Sequence, residues 1–259
     1  MTMWHVLLLA GQRPGTDPLA AAFGGEWKAL VPLAGRPMLA RCIENLLAVG
    51  EVAGITVLSQ SPQALLADPQ VRAAADDGRV RFEQSGAGIA SSVKSFAGRN
   101  VPWPVLVTTA DHPLLKPATA SAFLAAAGDC DVAVGMVERK VVRSAFPDNR
   151  RTWLHFQRGS WTGANLFALN GPAAAHLLDV WAEVEQRRKK GWRLIARFGP
   201  MLLLRALTRT ITLDAALGAA GRKFGVKVKA VALGDPLAAV DIDKLSDHAL
   251  ATRIIEGGG

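Results

Sequence analysis

The sequence predicts an α/β fold in which a mainly parallel sheet is covered by helices on both faces. Two observations carry this prediction. Short apolar runs alternate with longer helical patterns in a βαβ rhythm, and the first four apolar runs are separated by helical segments. Half of the 259 residues are apolar, which is enough to form a substantial core and excludes wholesale disorder.

Period-two and continuous apolar runs predict eight strands, and 3.6-residue periodicity with capping and turn residues predicts eight helices. The predicted strands are 4–9, 54–58, 80–83, 105–109, 132–137, 153–157, 165–169 and 226–231. The predicted helices are 38–49, 62–67, 89–97, 118–128, 172–186, 193–208, 213–221 and 244–255.

The chain shows no repeat and no low-complexity linker, so a single domain over 1–259 is expected. After residue 138 the rhythm changes, which predicts a β-rich insertion over about 138–170. A helical insertion is expected over about 172–225. The apolar stretches are shorter than a membrane span requires. The two cysteines lack metal-site spacing and predict reduced, buried thiols of an intracellular, cytoplasmic protein.

The first predicted strand is followed by a loop with chemistry of its own. Ala10 and Gly11 allow backbone N–H groups to approach an anion closely, and Arg13 adds several hydrogen-bond donors. Lys28 follows 16 residues after Gln12 in an apolar context. Such a lysine either extends along the surface or points inward at an anion. The loop therefore predicts a phosphate-binding role.

Carboxylates follow two other predicted strands. Asp111 comes directly after the strand at 105–109, where parallel sheets bind ligands and where a hard divalent cation would find an oxygen ligand. The alternative is an N-cap of the following turn. Asp241 and Asp243 follow what looks like another strand, and alternation places them on the same face, so either one is a candidate second metal ligand.

Two further stretches offer polar groups. Gly86, Gly88, Ser91 and Ser92 form a turn and the start of a helix, which either binds a nucleotide base or phosphate or simply caps the helix. Arg150 and Arg151 precede a predicted strand, and Asn165 follows Gly163. These groups suit an anionic acceptor, although a solvated arginine pair is an equally good interpretation.

Taken in order, these motifs resemble the MobA-like and IspD-like nucleotidylyltransferases. The opening strand with Leu9-Ala10-Gly11, then Arg13, Lys28 and the 33–39 stretch LAGRPML, is similar to the opening motif of that family. TTADHPLL over 108–115 and VDIDKLSD over 240–247 are similar to its two metal-binding segments. The 88–93 stretch GIASSV and the 163–165 stretch GAN resemble its base-binding and acceptor-side motifs.

The resemblance implies a Rossmann-like (GT-A type) twisted sheet, with an acceptor-side β-rich insertion. It implies transfer of NMP from an NTP to a phosphorylated small molecule, with release of pyrophosphate and dependence on Mg²⁺. The implied roles follow. Arg13 and Lys28 are catalytic; Leu9, Ala10, Gly11, Gly88, Ser92 and Asp111 bind nucleotide; Arg151, Thr152 and Asn165 bind acceptor; Asp111 and Asp243 bind metal.

The chain departs from the family pattern in several places. Gln12 replaces a glycine, the loop before Lys28 is longer, Leu245 replaces a proline, and the helical insertion is unusual. The resemblance implies CTP or GTP as the nucleotide, because relatives use both, and the similarity of the GIASSV stretch to the cytidylyltransferase members favours CTP. A nucleotide-sugar glycosyltransferase and a non-catalytic nucleotide-binding module are the alternatives. A glycosyltransferase would be expected to carry Asp-x-Asp at a strand end in mid-chain, where residues 111–113 read DHP.

The net charge of +8 fits an anionic partner. Basic residues interleaved with aromatic ones on one sheet are not evident, so no nucleic-acid partner is expected. The basic stretch 187–210 predicts either a core helix with basic flanks or peripheral contact with a membrane. A monomer or a homodimer is expected.

Overall fold

The computed structural model describes residues 2–86, 88–148, 151–186 and 200–257 and confirms the predicted fold class. Its strands are β1 Trp4–Leu9, β2 Pro32–Leu33, β3 Arg36–Pro37, β4 Val52–Ser59, β5 Val80–Gln84, β6 Val105–Thr109, β7 Val132–Glu138, β8 Leu154–His155, β9 Ser160–Leu169 and β10 Val228–Leu233.

The described helices surround the main sheet. They are α1 Pro18–Ala22, α2 Met38–Leu47, α3 Pro62–Leu66, α4 Pro69–Ala75, α5 Ile89–Phe96, α6 Pro117–Ala126, α7 Arg139–Ala145, α8 Ala174–Gln186, α9 Pro200–Leu207, α10 Leu213–Lys223 and α11 Leu245–Glu256. Short 3₁₀ helices form at Lys28–Leu30 and Pro236–Ala239.

The main sheet has the strand order β10-β7-β9-β6-β1-β4-β5, with β8 paired to β9. Strand β9 runs antiparallel to both of its neighbours, β6 and β7, whereas β1, β4, β5 and β6 pair in parallel. Parallel strands end at the same edge of a sheet, so the loops after β1, β4, β5 and β6 all emerge at one edge.

The core lies on both faces of this sheet, as alternating side chains require. Val6 and Leu8 of β1 pack in one cluster of buried residues that includes Ile43 of α2. Leu7 packs on the opposite face in a second cluster that includes Val93 of α5 and Leu178 of α8. Burial on both faces explains why β1 reads as a continuous apolar run.

Some sequence expectations were wrong or incomplete. Residues 139–145, expected within a β-rich region, form α7, because Val142 is fully buried against the sheet and stabilises a helix there. Residues 241–243 are not a strand; they follow the 3₁₀ helix Pro236–Ala239 as irregular backbone. Helices α1 and α4 escaped prediction because they are only five and seven residues long. Of the predicted helix 193–208, residues 193–199 lie outside the described part of the chain.

Candidate functional site

A cleft of about 760 Å³ opens at the edge of the sheet where β1, β4, β5 and β6 end. Nine of the residues to which the family resemblance assigns a role line it: Leu9, Ala10, Gly11, Arg13, Lys28, Gly88, Ser92, Asp111 and Asp243. They come from five separate parts of the chain. The structure thus brings together the groups that the sequence proposed for nucleotide, metal and catalysis.

The alignment of three strand ends forms the floor of the cleft. In the sheet register, Leu9 lies opposite Leu58 of β4 and Thr109 of β6. The backbone continues this pairing one residue further, because the Ala10 N–H donates to the Leu58 carbonyl and the Ala110 N–H donates to the Leu9 carbonyl, both at 2.9 Å. The loop after β1 and the turn containing Asp111 therefore start side by side.

Gly11 leaves room for a neighbouring side chain. A Cβ atom at this position would lie 2.9 Å from Oε1 of Gln60, closer than real Cβ contacts. A side chain at position 11 would therefore displace the amide of Gln60, which follows β4 and also lines the cleft.

The loop after Arg13 is partly ordered by its own helix. Asp17 caps α1 by accepting hydrogen bonds from the N–H groups of Leu19 and Ala20. Leu19 and Ala20 are buried, in a cluster that also contains Met38 of α2. The chain then returns to the cleft at the 3₁₀ helix Lys28–Leu30. The loop is thus anchored before it delivers Lys28.

The Lys28 ammonium group bridges the two candidate metal ligands. Its Nζ lies 2.9 Å from Oδ2 of Asp111 and also contacts Oδ1 of Asp243. The side chains of Lys28 and Asp111 are 15% and 24% exposed, whereas that of Asp243 is 65% exposed. Thr109 completes the arrangement by donating a 2.5 Å hydrogen bond from Oγ1 to Oδ1 of Asp111.

The charges hold one another in their ionised forms. Burial by itself would lower the pKa of Lys28, but Asp111 and Asp243 outweigh it and the pKa is raised above its ordinary value. Burial by itself would raise the pKa of Asp111, yet Lys28 and the Thr109 hydroxyl bring it below its ordinary value. The Lys28 ammonium group and the Asp111 carboxylate therefore stabilise each other in their charged forms.

The structure distinguishes the two aspartates that alternation had placed on one face. Asp243 points to Lys28, while Oδ1 of Asp241 accepts a 2.7 Å hydrogen bond from Nη2 of Arg151. The N–H of the intervening Ile242 donates to the Asp111 carbonyl at 2.9 Å. This bond joins the segment to the end of β6, and Asp243, not Asp241, lines the cleft.

The serines at the start of α5 shape the turn that precedes it. Oγ of Ser92 accepts from the Gly86 N–H at 2.9 Å and donates to the Gly88 carbonyl at 2.6 Å, and Oγ of Ser91 accepts from the Gly88 N–H at 3.1 Å. The capping interpretation therefore holds for both hydroxyls, while Gly86, Gly88 and Ser92 also line the cleft.

The predicted acceptor residues lie apart from the cleft lining. Arg151, 12% exposed, pairs with Asp241, and Thr152 is exposed just before β8. Asn165 has φ +50° at a bulge where β9 has three residues opposite the single Gly135 of β7. Arg150 lies outside the described residues.

Four cleft residues were missed as functional candidates. Gln12 had been noted only as a departure from the family pattern, and Gln60, Thr109 and Ser85 had drawn no attention. Thr109 ends a parallel strand, Gln60 and Ser85 directly follow one, and Gln12 lies three residues after β1. This position at the carboxyl ends of parallel strands is the signal that could have identified them.

The carboxylates that contact Lys28 are oxygen donors of the kind that bind a divalent cation. Among the described residues, no group of three or more His, Cys, Asp and Glu side chains could hold a metal ion. Two carboxylates, however, converge on a single ammonium group, which shows that this position suits a cation. Two carboxylates suit Mg²⁺, which is commonly bound by one or two carboxylates with phosphate oxygens and water. The residues therefore fit Mg²⁺.

Solved structures share this fold. A hypothetical transferase from Thermus thermophilus is 26% identical, with a TM-score of 0.79, over 95% of this chain and 100% of that one. The 4-diphosphocytidyl-2C-methyl-D-erythritol synthase of Anaerococcus prevotii is 11% identical with a TM-score of 0.60, over 98% and 96% of the two chains. A CMP:2-keto-3-deoxy-manno-octonic acid synthetase complexed with CTP is 14% identical with a TM-score of 0.58, over 99% and 100%.

Other comparisons complete the assignment. A search of curated protein sequences gave no significant match. No helix within the described ranges is long and apolar enough to span a bilayer.

The model of the MobA-like NTP transferase domain matches residues 7–212, which is most of the chain. With the loop after β1, Lys28 and Asp111 inside that match, the chain belongs to the MobA-like NTP transferase family.

Proposed function

We propose that this protein transfers NMP from an NTP to a phosphorylated small molecule, such as a sugar, polyol or alcohol phosphate, and releases pyrophosphate. One observation carries the proposal: Lys28 lies between Asp111 and Asp243 inside a cleft that also contains the Gly11 loop. Family membership supports NTP transfer in general, and the geometry of these side chains supports the assignment of roles.

In this proposal the protein supplies position and charge. The acceptor phosphate is already ionised near neutral pH, so no protein base is required. Its oxygen attacks the α-phosphorus in line with the departing pyrophosphate. The Gly11 loop and Arg13 bind the β- and γ-phosphates, and Lys28 moves from its carboxylate partners to the α-phosphate. The ammonium group there neutralises the charge that develops in the transition state.

Asp111 and Asp243 would hold Mg²⁺ once Lys28 has turned to the phosphates. The bound ion would neutralise phosphate charge and align the oxygens of the reactants. Thr109 keeps Asp111 oriented through its hydroxyl hydrogen bond. The Ile242 N–H to Asp111 carbonyl bond keeps the two carboxylates on adjoining segments.

The nucleotide base is proposed to lie against Gly88 and Ser92, with Leu9 and Ala10 on the floor of the cleft. CTP is our preferred nucleotide, followed by GTP. Support comes from the GIASSV sequence at 88–93 and from the synthetase of the same fold that binds CTP.

The acceptor is proposed to lie towards Thr152 and Asn165. Arg151 is proposed to contribute from the same side, because its guanidinium group has five N–H donors and, among the described residues, one of its nitrogens, Nη2, is hydrogen-bonded to Asp241. The long side chain therefore keeps donors available beyond its ion pair.

The decisive experiment incubates the purified protein with each of the four NTPs, Mg²⁺ and a panel of sugar, polyol and alcohol phosphates, and measures pyrophosphate. We expect release with one nucleotide, only when an acceptor is present, and loss of release in EDTA. Absence of release with every combination would overturn the proposal. A glycosyltransferase would release a nucleoside diphosphate from a nucleotide-sugar instead, and a binding module would bind NTP without turnover.

We also propose peripheral contact with an anionic membrane through the 187–210 region, of which only residues 200–210 are described. Met201, Leu204 and Leu207 are exposed along α9, and the nearby Arg205 and Arg209 would favour anionic lipid. Co-sedimentation with vesicles of anionic lipid should fall for Leu204→Ser with Leu207→Ser. Equal sedimentation with zwitterionic vesicles, or none with either, would refute the contact.

A further inference from the structure

Gln12 connects the two ends of the loop that delivers Lys28. Its side-chain Nε2 donates to the Glu26 carbonyl at 2.8 Å, and its Oε1 accepts from the Lys28 N–H at 2.9 Å. One amide group thus binds the backbone on both sides of Trp27. The loop from 13 to 25 is closed at its base by a single side chain.

Gln60 holds the backbone of Gln12 in turn. Its Oε1 accepts from the Gln12 N–H at 3.1 Å, and its Nε2 donates to the Gln12 carbonyl at 2.9 Å. Both backbone groups of one residue are therefore satisfied by one side chain. Because Gln60 directly follows β4, this pair ties the loop to the end of the neighbouring strand.

The two glutamines form one chain of hydrogen bonds from β4 to Lys28. β4 fixes the position of Gln60, Gln60 fixes the Gln12 backbone, and the Gln12 side chain fixes the Lys28 backbone. Gly11 has no side chain, which leaves the space that the Gln60 amide occupies. We call Gln12 and Gln60 together the glutamine clamp.

We propose that the glutamine clamp is a positioning device for nucleotidyl transfer, in which Gln12 sets the backbone of Lys28 and Gln60 sets Gln12. The inference rests on the proposed function for its kinetic part. It also accounts for two of the four departures from the family pattern, Gln12 and the longer loop before Lys28, since a loop closed at its base can lengthen without displacing Lys28. Loop-closure cost grows only slowly with length.

The first test requires no substrate. Hydrogen exchange of the Lys28 amide is measured by NMR or by mass spectrometry in wild type, Gln12→Met and Gln60→Met. Methionine retains the length and removes the amide hydrogen bonds. We expect exchange at Lys28 to accelerate about tenfold in Gln12→Met and to a smaller extent in Gln60→Met. Unchanged exchange in Gln12→Met would overturn the clamp.

Two further variants serve as controls for this test. Gln12→Glu keeps the acceptor for the Lys28 N–H and loses the donor to the Glu26 carbonyl, so it should retain most of the protection at Lys28. Gln63→Met changes an exposed glutamine on α3 outside the cleft and should leave exchange at Lys28 as in wild type. Loss of protection in Gln63→Met would contradict the proposal.

The second test is kinetic. Pyrophosphate release should show kcat about tenfold lower in Gln12→Met and lowered to a smaller extent in Gln60→Met, with KM for the nucleotide changed less than kcat. The double variant should lose less than the product of the two single losses, because Gln60 acts through Gln12. Independent losses, or a Gln60 effect confined to nucleotide KM, would assign Gln60 to direct nucleotide contact and overturn the positioning role.

Together, the two tests distinguish a failure of the proposed function from a failure of the proposed positioning role. If wild type releases no pyrophosphate with any nucleotide, the proposed function fails while the exchange result still tests the clamp. If exchange at Lys28 accelerates but kcat remains at the wild-type value, the clamp exists and its positioning role is refuted.

Discussion

The proposed nucleotide side and the proposed acceptor side of this protein, called the nucleotide side and the acceptor side below, are built on different principles. On the nucleotide side, β1, β4, β5 and β6 are parallel, and their loops meet at one edge of the sheet. On the acceptor side, β8 and β9 form an antiparallel pair beside α7, with a bulge at Asn165. On the nucleotide side, the parallel topology alone brings the side chains of the loops together. On the acceptor side, the positions of the side chains depend on the register of the antiparallel strands and on the reach of long side chains.

The difference is visible in the ion pairs of each side. Lys28 meets Asp111 and Asp243 inside the open cleft, where all three are available to a ligand. Arg151 meets Asp241 outside the cleft lining, at about the same burial as Lys28 and Asp111, and holds the segment that carries Asp243. We therefore expect changes on the nucleotide side to affect chemistry, and changes on the acceptor side to affect stability as well.

The largest effect is expected from the nucleotide side. Lys28→Met and Asp111→Asn should each lower kcat by about 1,000-fold, since each removes charge stabilisation of the transition state. Pyrophosphate release measures the rates, and circular dichroism checks that the fold is retained. Folded variants with rates close to wild type would contradict the proposed roles of Lys28 and Asp111. They would also contradict the expectation that changes on the nucleotide side affect chemistry more than changes on the acceptor side.

The next effect concerns stability on the acceptor side. Arg151→Met leaves Asp241 without its partner in a partly buried place and should lower the free energy of unfolding by about 2 kcal/mol. Urea denaturation measures this change. Asp241→Asn with Arg151→Met should cost less than the sum of the two single changes. Exact additivity would show that the pair contributes nothing through its mutual contact.

A smaller effect tests whether Lys28 occupies the position of a cation. Without nucleotide, Lys28→Met should bind Mn²⁺ about tenfold more tightly than wild type, because the ammonium group no longer competes for the carboxylates. Electron paramagnetic resonance of free Mn²⁺ measures the affinity. Asp111→Asn is the matched control and should weaken binding. Equal affinity in wild type and Lys28→Met would argue against a shared position.

The smallest effect is expected for Asn165→Gly, which separates backbone conformation from side-chain function at this position. Glycine adopts φ +50° freely, so Asn165→Gly should change the free energy of unfolding by less than about 1 kcal/mol while raising acceptor KM. Asn165→Val should be destabilised by about 2 kcal/mol, because a branched side chain is strained there. An unchanged acceptor KM in Asn165→Gly would remove this residue from the proposed acceptor site.

The sequence by itself determined the parallel half of the fold and the cleft residues that go with it. β1 and β6 match their predicted bounds because apolar runs buried on both faces are visible without any partner. Gly11, Lys28 and Asp111 could be proposed as one site because parallel strands bring their following loops to one edge.

Only the tertiary structure decided what depends on contacts between distant residues. It paired Asp241 with Arg151 and Asp243 with Lys28, because irregular backbone after Ala239 does not follow strand alternation. It also showed what Gln12 contacts: its backbone N–H donates to Gln60, and its side chain accepts from the Lys28 N–H at the base of the loop. Hydrogen bonds between residues far apart in the chain leave no periodic trace in the sequence, and so only the folded chain reveals them.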